Sequence, residues 1–380
     1  MMIFPDAMLG MLGGGQLGRM FTLAAHTMGY RVTVLDPDPL SPAGAIADVH
    51  IKAAYQDREA LELLADTCVA VTTEFENVPA DSLRWLAAHC TVRPAGDAVA
   101  VAQDRVREKR FLSGHGFPVA PFAVIERESE FDDIDVSLLP GILKRARFGY
   151  DGKGQVRVAT AAEARAAFVA LGSETCVLER MIELRSEVSV VVARGADGET
   201  RTFPVTENRH RNGILDVSVV PARVSAEIAR GAERAAAGVA EKLDYCGVLA
   251  VEFFVTADGV LLANEIAPRP HNSGHYTIDA CATSQFEQQV RTLCGLPLGD
   301  TRLLSPVVMV NLLGDVWQHG TPAWDRVFAA PGGKLHLYGK HEARPGRKMG
   351  HYTVLADTAD DALERALEVQ AALTSGSDRI

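Results

Sequence analysis

Two glutamates, Glu252 and Glu265, lie in apolar segments on either side of Asp258-Gly259. An Asp-Gly pair between such segments is typical of a tight turn in a β-hairpin. If Asp258 and Gly259 are the two loop residues, counting outward pairs Glu252 directly with Glu265. A four-residue loop that begins at Thr256 shifts the pairing by one diagonal step and leaves both glutamates on one face. Either geometry predicts two carboxylates on the same face of the hairpin.

Two carboxylates this close need a neutralising charge. At a separation of about 5 Å and an effective dielectric constant of about 20, they repel by about 3 kcal/mol. A divalent cation removes this repulsion, and one or two carboxylates together with phosphate oxygens are typical Mg²⁺ ligands in nucleotide sites. A solvated hairpin face, or an ion pair with an arginine such as Arg269, would also explain the two glutamates. The hairpin alone leaves these alternatives open.

A glycine-rich segment around Lys153 is suited to phosphate binding. Gly149, Gly152 and Gly154 fall within six residues, which makes a flexible loop rich in free amides that can close over phosphates. The segment is not a Walker A loop, because no Lys-Ser/Thr ending follows at the required spacing. The strand predicted just before it carries a second lysine, Lys144.

A second glycine turn lies near the N-terminus. Gly13, Gly15 and Gly18 fit G-x-G-x-x-G between a predicted strand and a helix that runs to about Met28, and Asp36 follows near the spacing of a ribose-binding acid. Alone, this pattern favours a nicotinamide or flavin enzyme. The same turn binds any phosphate monoester through free amides and the helix dipole, so a different phosphate ligand is the alternative that we prefer.

Acidic and amide residues follow the third predicted strand, 68–73. Glu74, Glu76 and Asn77 would project from the carboxyl edge of a parallel sheet, where ligands of such folds bind. Capping of the helix that begins near Pro79 is the structural alternative.

Two further charged segments are candidates for ligand contacts. Glu179 and Glu187 lie on successive predicted strands and would flank a cleft, or would each be an ordinary edge-strand charge. The turn 344–350 carries Arg344, Arg347 and Lys348, which predicts either an anion contact or a solvated turn.

The sequence does not predict a zinc site. His271 and His275 are four residues apart, but Pro270 and Gly274 favour a loop over a helix, and no H-E-x-x-H is present. The six cysteines are scattered without a C-x-x-C pair, so they are interpreted as free thiols.

The composition limits the class of protein and its partners. The chain has 380 residues, 47% of them hydrophobic and 23% charged, with a net charge of −11. This charge argues against nucleic acid or an anionic membrane surface as a main partner. Because no apolar run reaches the length of a membrane span and no signal-peptide pattern opens the chain, we expect a cytoplasmic protein.

The length predicts two or three domains. Alternating strands and helices predict a Rossmann-like α/β domain over 1–100. A mixed α+β domain is expected over 101–298, with its mobile glycine-loop lobe at about 120–195, and a small C-terminal domain over 299–380.

Several motifs together resemble one enzyme superfamily. The chain resembles ATP-grasp enzymes, and within them the N5-carboxyaminoimidazole ribonucleotide synthetase family. The motifs that carry this resemblance are Gly-Gly-Gly-Gln-Leu-Gly-Arg-Met at 13 to 20, Thr-Glu-Phe-Glu-Asn-Val-Pro at 73 to 79, Gln-Asp-Arg at 103 to 105, Gly-Tyr-Asp-Gly-Lys-Gly-Gln at 149 to 155, Asn-Glu-Ile-Ala-Pro-Arg-Pro-His-Asn-Ser-Gly-His at 264 to 275, and Arg-Pro-Gly-Arg-Lys-Met-Gly-His at 344 to 351.

The resemblance implies an ATP-grasp fold with an N-terminal preATP-grasp domain and a small C-terminal domain. It implies a reaction of purine (IMP) biosynthesis in which ATP and bicarbonate carboxylate 5-aminoimidazole ribonucleotide, through carboxyphosphate, to give N5-carboxyaminoimidazole ribonucleotide, ADP and phosphate. It also implies a homodimer with only small-molecule substrates.

The resemblance further implies roles for individual residues. Mg²⁺, or Mn²⁺ in its place, would be held by Glu252 and Glu265. The third metal ligand stays open, because Ala267 stands where many ATP-grasp enzymes have Asn. Phosphates would contact Arg105 and Lys144, the adenine edge would lie along 179–182, Glu187 would bind the ribose, and His210 would reach into the nucleotide site. The nucleotide site as a whole would comprise Arg105, Lys144, Gly149, Tyr150, Asp151, Gly152, Lys153, Gly154, Gln155, Glu179, Arg180, Met181, Ile182, Glu187, His210, Asn264 and Glu265.

The carboxylation itself would involve Tyr150, Asp151, Lys153, His271, His275, Arg347 and Lys348. The ribonucleotide would contact Gly15, Gln16, Leu17, Glu74, Asn77, Arg269, Asn272 and Ser273. Two alternatives are another ATP-grasp ligase acting on a ribonucleotide amine of the purine pathway, such as the formate-dependent glycinamide ribonucleotide transformylase, and an NAD-dependent oxidoreductase built on the first glycine turn.

Overall fold

Five parallel strands form the first sheet, in the order β3-β2-β1-β4-β5. The computed structural model describes residues 2–147, 149, 154–318 and 320–374. The strands of this sheet are Met8–Leu12 (β1), Arg31–Leu35 (β2), Val49–Ile51 (β3), Ala70–Thr73 (β4) and Thr91–Val92 (β5). The inner strands are buried along nearly their whole length, as expected where both faces are covered. The predicted parallel α/β unit is confirmed.

Five helices belong to this first part of the chain. They are Gln16–Thr27 (α1), Arg58–Thr67 (α2), Ala80–Ala87 (α3), Gly96–Ala102 (α4) and Arg105–Gly114 (α5). Helix α1 starts directly after the glycine turn, and Gly29 follows its end with φ +81°, a left-handed conformation that favours glycine. Asp104 caps the start of helix α5, because its carboxylate accepts hydrogen bonds from the amides of Val106 and Arg107.

A four-stranded antiparallel sheet comes next, in the order β6-β9-β7-β8. Its strands are Phe122–Ile125 (β6), Gly141–Arg145 (β7), Gln155–Val158 (β8) and Cys176–Arg180 (β9), and helix Ala161–Ala170 (α6) packs on one face. The glycine-rich segment connects β7 to β8. The pairing of β7 with β9 places Lys144 and Glu179 on adjacent strands.

The largest sheet has nine strands, in the order β15-β14-β10-β12-β13-β16-β18-β17, with β11 paired to β10. Its strands are Leu184–Arg194 (β10), Thr200–Thr202 (β11), Thr206–Arg211 (β12), Ile214–Val220 (β13), Gly247–Thr256 (β14), Leu261–Ala267 (β15), Val307–Leu313 (β16), Gly333–Leu337 (β17) and Lys348–Leu355 (β18). Strands β16 to β18, which follow residue 298, continue this sheet through the antiparallel pairing of β13 with β16.

Five helices of the described part of the chain pack against this sheet, and one of them also contacts the first sheet. They are Ala226–Lys242 (α7), Thr277–Ala280 (α8), Gln285–Leu293 (α9), Trp324–Ala329 (α10) and Ala359–Thr374 (α11). The small apolar residues of α7 pack on the valines of β10 and β14, and α11 covers β16 and β18. Val290 and Leu293 of α9 pack with β1 and α1 of the first sheet. Among the described residues, no helix is both long and apolar enough to span a membrane.

The prediction that Glu252 and Glu265 lie on one face of the hairpin is confirmed, and the two residues pair directly, but neither of the two predicted loop lengths is observed. The strands end at Thr256 and resume at Leu261, and near the turn the pairing of Phe253 with Ala263 is one residue out of the register that a two-residue loop would give. A β-bulge at Asn264 then adds one unpaired residue and restores the pairing of the glutamates. The one-residue shift of register at the turn and the one-residue shift at the bulge therefore have opposite directions and cancel.

Candidate active site

Glu252 on β14 forms an ion pair with the loop that follows β15. Its Oε1 lies 3.0 Å from Nε2 of His271. Burial alone would raise the pKa of Glu252, but the hydrogen bond and charge of His271, with the charges of His210 and Lys348, lower it to about 2. The carboxylate is therefore anionic over the whole physiological pH range and available to a cation.

Glu265 lies opposite Glu252 on β15 and is more open to solvent, with 43% of its side chain exposed. Its Oε2 is 3.2 Å from Nη1 of Arg105, at the start of α5. Burial would lower the pKa of Arg105, but the charges of Glu265, Glu108 and Glu179 raise it. Each glutamate thus has one basic side chain beside it, His271 for Glu252 and Arg105 for Glu265.

Two buried lysines share one carboxylate beside this hairpin. Lys144 and Lys109 place their Nζ atoms 3.1 and 3.2 Å from Oε2 of Glu179. Burial lowers the pKa of Lys144 and the nearby cations Lys109 and Arg105 lower it further, although Glu179 opposes the change. The second carboxylate oxygen, Oε1 of Glu179, is buried and has no hydrogen-bond partner among the described residues. The arrangement concentrates positive charge where a polyphosphate could bind.

A cleft of about 380 Å³ opens along β10 and β12, within the size range of small-molecule sites. Glu187 and His210 line it, and Nδ1 of His210 lies 3.0 Å from Oε2 of Glu187. Burial lowers the pKa of His210, but the neighbouring carboxylate of Glu187, with the charge of Glu252, raises it overall. Possible ligand atoms of Glu187, His210 and Glu252 lie within 4.8 Å of one another.

A smaller cavity connects four segments that the sequence singled out. It is lined by Gly149 of the glycine-rich segment, Arg105 of α5, Glu265 of β15, and Glu76 and Asn77 beyond β4, among others. Tyr150, Asp151, Gly152 and Lys153 lie outside the described residues. Gly154, which has φ +71°, and Gln155, which begins β8, follow these residues directly in the chain.

Arg269 connects the hairpin to the first sheet. Its Nε donates a hydrogen bond of 2.5 Å to Oε2 of Glu76. Burial would raise the pKa of Glu76, but the charge and hydrogen bond of Arg269 lower it to about 2. The carboxyl edge of the parallel sheet and the loop after the hairpin therefore meet through a largely buried ion pair.

This ion pair predicts acid sensitivity. Because the folded-state pKa of Glu76 is about 2, below its ordinary 4.5, its contribution is complete above pH 4.5 and is lost as the pH falls toward 2. The contribution is on the order of 3 kcal/mol at most. We expect the free energy of unfolding, measured by urea denaturation, to fall less steeply over this pH range in Glu76→Gln than in the wild-type protein. Equal slopes would contradict the prediction.

The first glycine turn binds two of the protein's own carboxylates. Asp36 accepts from the amide of Gly14 at 2.6 Å, and Glu74 accepts from the amides of Gly15 and Gly18 at 2.5 and 2.7 Å. Asp36 also accepts from the hydroxyl of Tyr55. Because the carboxylate of Asp36 is hydrogen-bonded to Gly14 and Tyr55 of its own domain, this geometry does not favour a role for Asp36 in binding the ribose of NAD. The predicted ribonucleotide contacts at Gly15, Gln16, Leu17 and Glu74 stay a prediction.

The two histidines of the 271–275 loop have different environments. His271 faces Glu252, whereas His275 is 1% exposed and packs against the rings of His351 and Tyr338. Burial lowers the pKa of His275 well below its ordinary value, and neighbouring cationic groups lower it further. His271 is thus the histidine placed beside the proposed metal ligands.

Asn272 and Ser273 hold this loop on the nine-stranded sheet. The side chain of Asn272 exchanges two hydrogen bonds with Asn311 of β16, at 3.0 and 2.8 Å. The hydroxyl of Ser273 lies 2.7 Å from that of Ser189 on β10. Both side chains are buried, so they fix the loop, and their predicted contact with the ribonucleotide stays a prediction.

The remaining predicted residues lie around the site. Arg180 ends β9, and Met181 and Ile182 follow in the connection to β10, where the amide of Met181 donates to the carbonyl of Pro140. Lys348 begins β18 and its charge acts on Glu252. The guanidinium of Arg347 donates one hydrogen bond to the carbonyl of Glu342, close to the basic turn itself.

Sequence reasoning missed Glu108 and Lys109 of α5. Both are buried, and burial together with the charge of Glu265 raises the pKa of Glu108 to about 8, although Arg105 opposes the change. The available signal was the spacing of Arg105 and Lys109, which share a helix face at i and i+4.

Comparisons with known proteins agree over nearly the whole chain. Family models match in three segments: the ribonucleotide synthetase preATP-grasp domain at 7–103, the ATP-grasp domain at 110–286 and the phosphoribosylaminoimidazole carboxylase C-terminal domain at 307–365. The N5-carboxyaminoimidazole ribonucleotide synthase of Bacillus subtilis (strain 168) is 46% identical over 363 residues, covering 95% of each chain. That of Pseudomonas aeruginosa is 41% identical and covers 96% of this chain and 98% of its own.

Solved structures of the same enzyme superpose closely. An ADP complex of N5-carboxyaminoimidazole ribonucleotide synthetase has a TM-score of 0.92 at 44% identity and covers 97% of each chain. The enzyme of Aspergillus clavatus in complex with ADP and 5-aminoimidazole ribonucleotide has a TM-score of 0.90 at 32% identity and covers 100% of each chain. The similarity thus includes the fold and all the segments that form the site.

Proposed function

Because this chain belongs to the N5-carboxyaminoimidazole ribonucleotide synthase family of ATP-grasp enzymes, we propose that it uses ATP and bicarbonate to carboxylate 5-aminoimidazole ribonucleotide in purine biosynthesis. The products are N5-carboxyaminoimidazole ribonucleotide, ADP and phosphate. The membership covers the whole catalytic unit, since relatives match over more than nine-tenths of both chains.

One observation supports this function most directly. Gly149, Arg105, Glu265 and Asn77 come from four separate segments and line one cavity. A glycine-rich loop, a cation, a carboxylate and the carboxyl edge of a parallel sheet are the parts that phosphoryl transfer to a second bound substrate requires.

The oxygen donors on the hairpin suit Mg²⁺. Glu252 and Glu265 pair across the two strands, and Oδ1 of Asn264 between them is a buried acceptor that lacks a hydrogen-bond partner among the described residues. Hard oxygen ligands are what Mg²⁺ prefers, and Mn²⁺ accepts the same set. When bound, the ion would neutralise charge between the β- and γ-phosphates.

The chain's own residues would orient the reactants and exclude water. Arg105 and Lys144 would bind the phosphates of ATP, Glu187 the ribose, and 179–182 the adenine edge, where Oε1 of Glu179 offers an unsatisfied acceptor. The glycine-rich segment between β7 and β8 would close over the phosphates and keep water from the reactive intermediate.

The reaction proceeds in two transfers. A bicarbonate oxygen attacks the γ-phosphorus and ADP leaves, giving carboxyphosphate. The exocyclic amine then forms a bond to the carbon of carboxyphosphate, with loss of phosphate, or to the carbon of CO₂ after carboxyphosphate has released phosphate in the site, and in either case the nitrogen loses a proton. Arg269 and His271 follow β15 and contact Glu76 and Glu252, and they would lie beside bicarbonate and the amine.

The test is ADP release by the purified protein with 5-aminoimidazole ribonucleotide, with and without bicarbonate. We expect release that needs both the ribonucleotide and bicarbonate and stops when Mg²⁺ is chelated. Release that depends instead on glycinamide ribonucleotide and formate would support the other ATP-grasp ligase, and reduction of a nicotinamide cofactor would support the dehydrogenase.

We also propose a homodimer that works in the cytoplasm, on the strength of the family resemblance. Sedimentation of the purified protein checks the oligomeric state. A monomer at micromolar concentration would contradict it.

A further inference from the structure

The hairpin that carries the proposed metal ligands lies at an edge of the nine-stranded sheet. Among the strands that the structure describes, β15 pairs with β14 alone. On its other side two backbone groups next to Glu265, the carbonyl of Asn264 and the amide of Ile266, have none of these strands as a partner. Buried backbone groups of this kind need hydrogen-bond partners.

Two consecutive side chains of α5 supply those partners. Oε1 of Glu108 accepts from the amide of Ile266 at 2.6 Å, and Nζ of Lys109 donates to the carbonyl of Asn264 at 3.1 Å. Glu108 is 1% exposed and Lys109 is fully buried. The pair of bonds has the pattern that one residue of a parallel strand would make across Glu265.

At the preceding residue, Ala263, the same edge of β15 is covered by a segment of backbone that runs parallel to it. The amide of Ala263 donates to the carbonyl of Pro118 at 2.7 Å, and Val119 forms an isolated parallel bridge with Ala263. The chain segment after α5 and the two side chains of α5 therefore cover this edge of β15 in succession. Beyond Ala263, the side chains of Glu108 and Lys109 supply the hydrogen-bond partners that the backbone segment supplies at Ala263.

These contacts lie on the β-bulge at Asn264. Below the bulge Phe253 pairs with Ala263; above it Glu252 pairs with Glu265. If the lower register continued without the bulge, Glu252 would pair with Asn264, and Glu265 would pair with Val251. A one-residue slip turns a side chain to the opposite face of the sheet. Val251 faces the core under α7, so Glu265 would leave the site.

We propose that Glu108 and Lys109 are positioning residues, which hold the bulge at Asn264 and thereby keep Glu265 on the same face as Glu252. This inference rests on the proposed function, because Glu265 is a metal ligand only if the proposed function is correct. Neither side chain needs to touch a substrate. Partners of this kind typically change metal affinity by about 10- to 100-fold when they are removed.

The experiment compares Glu108→Leu, Glu108→Gln and Lys109→Met. Leucine removes the acceptor with little change in volume, whereas the amide oxygen of glutamine can still accept from Ile266. Lys109→Met removes the donor and leaves Lys144 paired with Glu179. Arg110→Ala, at an exposed position on the same helix, is the matched control.

Two measurements other than activity report on the bulge. Mn²⁺ binding to the protein–ADP complex, followed by electron paramagnetic resonance, should weaken roughly 10-fold or more in Glu108→Leu and Lys109→Met. It should stay within about 3-fold of wild type in Glu108→Gln and Arg110→Ala. Amide hydrogen exchange over 263–267 should speed up in the two weakened variants, while exchange in the first parallel sheet stays unchanged.

The outcomes separate this inference from the proposed function. Wild-type Mn²⁺ affinity and wild-type exchange in Glu108→Leu and Lys109→Met would overturn the positioning role. Weakened binding in Glu108→Gln equal to that in Glu108→Leu would also overturn it, since the hydrogen-bond acceptor would then not matter. A wild-type protein whose ADP binding is indifferent to Mn²⁺ would instead contradict the proposed metal site.

Discussion

Glu265→Gln is expected to reduce bicarbonate-dependent ADP formation by roughly a thousandfold or more. The substitution replaces a charged oxygen ligand by a neutral amide of the same size. Because Glu265 is 43% exposed and its protein partner is Arg105 rather than the apolar core, the fold should stay intact. ADP release under saturating ribonucleotide, with Mg²⁺ varied, measures the effect.

The control for this variant is Glu368→Gln, an exposed position on α11 remote from the hairpin. It should keep wild-type activity. Thermal unfolding of Glu265→Gln should stay within a few degrees of wild type, which corresponds to a change of about 1 kcal/mol or less. Normal bicarbonate-dependent ADP formation by Glu265→Gln would refute the metal assignment.

Arg269→Met is expected to lower both stability and the use of the ribonucleotide. It leaves the carboxylate of Glu76 without its partner in a largely buried position. Breaking one side of a buried ion pair costs about 3–5 kcal/mol, and we expect the lower end here because part of each side chain reaches solvent. The loss of a cation beside the substrate should lower kcat/KM for the ribonucleotide by roughly a hundredfold or more.

The double variant Arg269→Met/Glu76→Gln separates the two effects. Removing the orphaned charge should restore most of the free energy of unfolding, as measured by urea denaturation, because two neutral groups are left in place of the pair. Activity should not recover if Arg269 contacts the substrates. Recovery of kcat/KM along with stability would show that Arg269 acts only as a structural partner of Glu76.

The fold followed from local patterns in the chain. Alternating strands and helices in the first hundred residues predicted the parallel sheet, and Gly29 marked the end of α1 as expected. These patterns work because backbone conformation depends on neighbours a few residues away. Even so, neither the two-residue nor the four-residue hairpin loop was right, and nothing in the sequence indicates the bulge at Asn264.

The site was less accessible to sequence reasoning. The carboxylates of Asp36 and Glu74 occupy amides of the first glycine turn, although the motif alone indicates a phosphate there. His271 and His275 are equivalent candidates in sequence, yet one faces Glu252 and the other is buried among aromatic rings. Each outcome depends on which elements pack together.

The sequence by itself therefore determined the family, the reaction that the family implies, and the placement of Glu252 and Glu265 on one face of the hairpin. Motif identity and strand periodicity carry this information along the chain. Only the tertiary structure decided how that pairing is held. Glu108 and Lys109 reach β15 from more than 150 residues away in sequence, because the edge of a sheet must find hydrogen-bond partners wherever the fold brings them.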